Sequence, residues 1–281
     1  MGSVKMVHPV IRSIFKKGSR TYFYSSLFFP PEIRDDVFRL YAFVRKADDF
    51  VDSTPQQSSE FYAFKEKYEN ALDGIPSGDI VIDEFTKISL RKNFDSNWVE
   101  AFLWSMESDL YINRYDTEDA LRVYLYGSAE VVGLMMAKIM GLPEEAYPSA
   151  RALGRAMQYA NFIRDISEDL ELGRIYFPMP ELYERGLTGL EYEQVSEKPE
   201  AFKDLIYTQL DRFTEWQAEA EAGFSFIPRR YRIPIKTASE MYKWTAKVIR
   251  RNPMIVYDVK VKPSIPRIVS SISINSLASI R

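Results

Sequence analysis

The chain of 281 residues contains no cysteine and only one histidine, His8. Without thiols there is no zinc–thiolate centre, iron–sulfur cluster, disulfide or cysteine nucleophile. A lone histidine excludes histidine-rich metal sites. A Ser-His-Asp triad would need a residue eight positions from the start, in a segment expected to be poorly anchored, and a surface place beside Pro9 suits His8 better. No apolar run reaches the roughly 18 residues of a membrane span. Charge of one sign is missing too: 37 basic against 40 acidic side chains leave −3, no global footprint for nucleic acid. Arg12, Lys16 and Lys17 break up the opening apolar stretch, so it lacks a signal-peptide core. These absences point to a cytoplasmic protein whose chemistry is left to carboxylates, tyrosines, lysines, arginines, hydroxyls and amides.

What is present is helical periodicity. Apolar positions recur at helical spacing through most of the chain, and alternating runs are few and short, so the fold class is all-α. Pro30-Pro31 marks a helix start, and the pattern from Glu32 runs to about Asp52 before Ser53-Thr54-Pro55. Further helices are expected over 57–73, 80–93, 96–112, 117–140, 144–171, 197–225 and 235–251, with a longer irregular piece from Gly173 to about Glu193. No break resembles an interdomain linker, so residues 1–281 read as one domain. The Ser- and Ile-rich tail, 263–281, is expected to lie against the body or to fray.

Two acidic clusters stand out. In Tyr41-Ala42-Phe43-Val44-Arg45-Lys46-Ala47-Asp48-Asp49-Phe50-Val51-Asp52, the residues Tyr41, Arg45, Asp48 and Asp52 fall within roughly 60° of one another on a helix. Like charges at i,i+4 destabilise a helix by a few tenths of a kcal/mol, so the stripe needs water or a cation. A lone pair of this kind is more often a solvated helix end. A second cluster of the same plan follows far along the chain, in Asn161-Phe162-Ile163-Arg164-Asp165-Ile166-Ser167-Glu168-Asp169. Here Asn161, Asp165 and Asp169 step along one face, with Arg164 and Glu168 beside them. Two such helices suggest opposed walls of a cavity. Hard oxygen donors without imidazole or thiolate select magnesium or manganese, and magnesium commonly shares its shell with substrate phosphates. A diphosphate is therefore the expected third party.

Basic partners for phosphate occur at Gly18-Ser19-Arg20-Thr21-Tyr22, Arg45 and Arg174, while Lys260-Val261-Lys262-Pro263 reads as a solvated loop. Gly127 and Gly133 in Tyr124-Leu125-Tyr126-Gly127-Ser128-Ala129-Glu130-Val131-Val132-Gly133 each cost about 1 kcal/mol of helix propensity, which fits tight helix packing and a substrate wall equally well. The abundant Phe, Tyr and Met side chains suit a core, or an apolar tunnel whose π-faces stabilise a carbocation.

At these motifs the chain resembles the squalene and phytoene synthase family of head-to-head prenyl transferases. The resemblance rests on GSRTYFYSSLFFP, YAFVRKADDFVD, YGSAEVVG, NFIRDISEDLELGRIYFP and SEMYKW, and spans nearly the whole length. It implies an isoprenoid-synthase-type helical bundle around a central cavity that condenses two allylic prenyl diphosphates through a cyclopropylcarbinyl intermediate. It further implies that Asp48, Asp52, Asn161, Asp165 and Asp169 hold Mg2+, or Mn2+, on the diphosphates. Ser19, Arg20, Thr21 and Arg45 would contact diphosphate, although many relatives have Lys and Ser where Arg20 and Thr21 stand. Tyr41 and Tyr124 match tyrosines beside the reacting carbons, Tyr242 matches one near the phosphates, and Lys260 or Lys262 stands where relatives place a late basic residue. Either the released diphosphate or Tyr124 takes the proton that closes the cyclopropane. Two geranylgeranyl diphosphates giving phytoene is the favoured reaction. Two farnesyl diphosphates giving dehydrosqualene, or squalene if NADPH reduces the intermediate, is the alternative. A greasy product suggests release near a membrane surface. A non-catalytic assembly factor would be expected to lose acidic ligands, and a terpene cyclase is disfavoured by the RDISED and SRTY forms.

Overall fold

The computed structural model describes residues 7–280, the last three by their backbone only. Helices α1 (Pro9–Gly18), α2 (Arg20–Ser26) and α3 (Pro31–Asp52) open the chain, followed by α4 (Ser58–Leu72), α5 (Ile80–Lys92) and α6 (Ser96–Ser108). Next, α7 (Glu118–Leu125) runs through a π-turn (Tyr126–Glu130) into α8 (Val131–Met140). The second half contains α9 (Tyr147–Arg164), α10 (Ile166–Glu171), α11 (Met179–Tyr183), α12 (Tyr192–Glu197), α13 (Pro199–Ala222), α14 (Arg229–Arg251), α15 (Ile255–Asp258) and α16 (Ile265–Ile280). Two short strands, β1 (Arg114–Tyr115) and β2 (Ile175–Pro178), pair in parallel.

Local chemistry sets many of these ends. Ser19, Asp79, Asp95 and Thr117 each accept a hydrogen bond from a backbone N–H in the first turn of the helix they precede. Such caps are worth about 1 kcal/mol apiece. Pro31 and Pro199 occupy the first position of α3 and α13, where no intrahelical N–H is needed. At the other end, Asn93 and Gly141 take left-handed conformations that close α5 and α8.

Helix α9 is the central pillar, packed against α8, α13 and α14. Its Ala152, Ala156 and Ala160 recur every four residues and are buried, which lets neighbouring backbones approach. Gly127 and Gly133 lie at the closest crossings. A Cβ on Gly127 would collide with the Ala101 carbonyl, and one on Gly133 with the Ala150 carbonyl. The stretch Glu118–Met140 is long and apolar enough to cross a membrane, but 61% of it is buried inside the bundle, as in a core helix.

Four expectations need correction. The long helix expected over 144–171 bends at Asp165, whose φ of −102° and ψ of 16° separate α9 from α10. The expected 117–140 helix is widened by the π-turn, and the 96–112 helix ends at Ser108. From residue 7 on, the opening segment is anchored, because Ile11 and Phe15 are buried, and His8 caps α1 by accepting from the Val10 N–H. Of the two expectations for the tail, its described part meets the first: α16 packs on α14 and buries Ile268 and Ile272. That apolar face, roughly 1.5–3 kcal/mol per buried side chain, outweighs the weak helix propensity of its serines.

Candidate active site

Two connected cavities lie between α3 on one side and α9, α10 and α14 on the other. The polar one, about 680 Å³, is lined by Asp48, Asp52, Asp165, Glu168 and Asp169 together with Ser19, Arg20, Thr21, Arg45, Arg174, Lys260 and Lys262. The second, about 260 Å³, is lined almost wholly by apolar side chains. Tyr22, Tyr41, Gln158 and Asn161 belong to both walls. The site is thus a charged vestibule opening onto a greasy tunnel.

The first wall comes from α3. Tyr41, Arg45, Asp48 and Asp52 all face the vestibule, as their spacing predicts. Arg45 bridges Asp48 at 3.1 Å and Asp49 at 2.6 Å. Asp52 accepts a 2.6 Å bond from Arg174, which also donates to the carbonyls of Val51 and Asp109. Gly18 makes room for Tyr41, since a Cβ there would meet its hydroxyl, and Phe15 stacks on the Tyr41 ring at 3.9 Å.

The opposing wall comes from α9 and α10. The bend at Asp165 keeps the backbone ladder, with Asp165 N–H donating to Asn161 and Asp169 N–H to Asp165, each at 2.8 Å. Arg164 holds Asp165 through two 2.6 Å hydrogen bonds, and Lys260 reaches Asp165 at 3.3 Å and also pairs with Glu168. Lys260 and Lys262 therefore stand in the site, where the isolated loop reading placed them in solvent. Asn161 donates to Gln158, while its Oδ1 is buried with no partner. Tyr242 covers this wall and lies 5.8 Å from the Tyr22 ring.

Electrostatics follows from this crowding. Burial, with Asp52 alongside, pushes Asp48 up to about 8. Burial, then Asp165 and Asp52, raises Asp169 well above the usual carboxylate range. Asp52 acts on Asp169 from the opposite wall, so the two walls lie within electrostatic reach of each other. Among the described residues no three acidic side chains converge into a preformed cation cluster. The donor set still suits a hard divalent ion: carboxylate oxygens on opposed walls plus an orphaned amide oxygen, with space between them for a phosphate to complete the shell.

The structure brings every sequence-predicted site residue into this region. Tyr124 and Arg174 are the most buried of them, each 3% exposed. Three residues that sequence reasoning missed join them. Asp109 and Tyr176 line the vestibule beside Tyr124, and Gln158 stands at the mouth of the tunnel. Asp109 sits just past the end of α6 with no partner nearby in sequence, so no local signal marks it. Tyr176 lies within a stretch of matching sequence but at no distinctive spacing.

The squalene/phytoene synthase family model matches residues 15–268. A 15-cis-phytoene synthase from Synechocystis sp. is 28% identical over 281 residues, covering 94% of this chain and 83% of that protein. One from Synechococcus elongatus is 27% identical and covers 92% and 88%. Among solved structures, a squalene synthase from Alicyclobacillus acidocaldarius superposes with a TM-score of 0.76 at 26% identity, covering 86% of this chain and 92% of that one. A ligand-bound dehydrosqualene synthase reaches 0.83 at 22% identity, covering 96% and 95%, a likeness of fold.

The raised carboxylates give a stability signature. A group whose folded pKa lies above its unfolded value stabilises the fold at low pH and loses that contribution as pH rises through the folded value. For Asp48 this window runs from the ordinary 3.8 up to about 8. About a third of its side chain still faces the cavity, which moderates the effect. In chelator, the melting temperature should fall between about pH 4 and 8, and Asp48→Asn should flatten that slope and raise the melting temperature at the alkaline end. A slope unchanged in Asp48→Asn would contradict this assignment.

Proposed function

Because the chain belongs to the squalene/phytoene synthase family, we propose that it is a phytoene synthase, joining two geranylgeranyl diphosphates head to head through a cyclopropylcarbinyl diphosphate. The observation that carries this reading is the continuity of a charged vestibule with an apolar tunnel through Tyr22, Tyr41, Gln158 and Asn161. A diphosphate matches the vestibule and a prenyl chain the tunnel. The family resemblance of the cyanobacterial phytoene synthases supports the choice of product.

Helix α9 supplies much of the tunnel wall. Ala146, Ala150, Leu153, Gly154, Met157 and Asn161 line it along one face of α9 and the turn before it. Asn161 also lines the vestibule, so the two cavities share this face of α9. Phe224 and Ile227 close the apolar cavity from the segment between α13 and α14.

In this reading Asp48 and Asp52 on one wall, and Asn161, Asp165 and Asp169 on the other, hold magnesium. When held there, such an ion would supply positive charge to the diphosphates and to the departing group. The chain's own cations assist: Arg45, Arg20, Lys260 and Lys262 offer charge-assisted hydrogen bonds to the phosphate oxygens. Arg174, 3% exposed and tied to two backbone carbonyls, fixes the orientation of Asp52. Ser19 caps α2 at the vestibule edge, beside Thr21. Tyr22, Tyr41 and Tyr242 present aromatic rings where the allylic cation forms, and π-faces attract cations. The apolar lining keeps water from the cation, so carbon rather than hydroxyl captures it.

Incubation with magnesium and, separately, C15 or C20 diphosphate, with and without NADPH, tests this directly. Phytoene from the C20 substrate without NADPH is expected, and Asp48→Ala or Asp165→Ala should abolish turnover with the fold retained. Efficient squalene formation from the C15 substrate with NADPH, or near-normal activity in either variant, would contradict the proposal. A second test addresses the tunnel. Ala150→Phe should shift the ratio of C20 to C15 turnover toward C15 by at least about tenfold, in the range one or two lost methylene contacts can produce. An unchanged ratio would show that chain length is read elsewhere.

A further inference from the structure

Beneath the acidic walls lies a buried cluster that none of the metal or phosphate contacts uses. Asp109, 5% exposed, accepts a hydrogen bond from Tyr124 at 2.7 Å on Oδ2 and one from Tyr176 at 2.9 Å on Oδ1. Tyr176 in turn accepts from Arg174 at 3.3 Å. The Tyr124 and Tyr176 hydroxyls are 3.5 Å apart, with Tyr124 the donor. The β1–β2 pairing and the α6 end bring these groups together from three distant stretches of chain.

The directions of these bonds matter. A phenol has one proton, and Tyr124 directs its proton toward Asp109 and, more weakly, Tyr176. Among the described residues no group donates to the Tyr124 oxygen, and both Tyr124 and Asp109 line the vestibule. The oxygen therefore keeps acceptor capacity on the cavity side while its proton points at a carboxylate.

On the reading of the reaction given above, we propose that Tyr124 and Asp109 form a two-step proton relay that removes the proton whose loss closes the cyclopropane ring. After the second substrate's double bond has attacked the allylic cation, a C–H bond beside the new cationic centre breaks. Its electron pair becomes the last C–C bond of the ring. The proton forms a new O–H bond on Tyr124 as the original phenolic proton passes to Asp109 Oδ2. Tyr124 ends neutral and Asp109 ends as a neutral acid. The proton returns through Tyr124 to the diphosphate released earlier in the turnover, which resets the pair.

Two further observations support the relay. Burial and the neighbouring Asp109 raise Tyr124 well above its usual range, so it does not work as a preformed phenolate. Burial also pushes Asp109 up to about 6, against the opposing pull of Arg174 and the two tyrosines, so the carboxylate is ionised at neutral pH yet basic enough to accept a proton. In this arrangement Asp109 is a positioning residue that acts on substrate through Tyr124.

The test uses the purified full chain with magnesium and C20 diphosphate, measuring diphosphate release and the cyclopropyl intermediate separately, with circular dichroism for the fold. Asp109→Asn still accepts a hydrogen bond from Tyr124 but cannot take up a proton. It should lower intermediate formation by about 100-fold or more while diphosphate release falls much less, the cation being diverted to alcohols, with KM little changed. Tyr124→Phe should give the same partition, and the double variant should be no worse than Tyr124→Phe alone. If Asp109→Asn does not fold, Asp109→Ser is read in the same way. A wild-type partition in either Asp109 variant beside an impaired Tyr124→Phe would overturn the relay and leave the condensation standing. Wild-type protein that releases no diphosphate from either substrate would overturn both.

Discussion

Carboxylates that face one another across a cleft repel, and the repulsion strengthens as water is excluded. The rest of this structure is arranged around that unfavourable contact. Asp48 and Asp52 are projected from α3, and Asp165 and Asp169 from the bend between α9 and α10. Each wall has its own cations: Arg45 on Asp48, Arg174 on Asp52, Arg164 and Lys260 on Asp165. These hold the side chains in place without cancelling the charge, and Asp48 and Asp169 remain reluctant to ionise. Walls of this kind favour a multivalent cation brought in with a phosphorylated ligand, and the fold must be stiff enough to keep them apart until it arrives. The close helix crossings at Gly127 and Gly133, and the alanine ladder of α9, supply that stiffness.

The same pillar that carries Asn161 at the vestibule carries the tunnel lining along its preceding turns. Helix α9 thereby joins the charged vestibule to the apolar cavity. Changing its small residues alters the tunnel, while changing its C-terminal polar residues alters the chemistry. A substrate with a charged head and a long apolar tail satisfies both halves, and few other metabolites do.

Much of this was legible in the sequence because it is local. The Asp pairs at i,i+4, the helix starts at Pro31 and Pro199, and the aromatic richness all follow from spacing and residue type. Gly133 illustrates a choice the sequence leaves open: it both permits the contact with Ala150 and lines the tunnel, so packing and substrate wall coincide. The bend at Asp165 was hidden because its hydrogen-bond ladder continues and nothing in the local sequence resembles a helix stop. Asp109 was hidden for a different reason. Its meaning comes from Tyr124, Tyr176 and Arg174, which arrive through a two-strand pairing between segments some sixty residues apart. For the tail the sequence leaves two outcomes open, since its partner, a face of α14, is known only once both helices are placed.

The central claim is that divalent ions bridge the two acidic walls through a prenyl diphosphate. Anomalous diffraction at the manganese edge, from crystals grown with manganese and a non-hydrolysable thio-diphosphate analogue of the C20 substrate, measures this directly. Anomalous peaks should lie between Asp48 and Asp52 on one side and Asn161, Asp165 and Asp169 on the other, with the diphosphate between them and the chain in the tunnel toward Ala146. Peaks elsewhere, or a diphosphate seated away from both walls, would contradict the account.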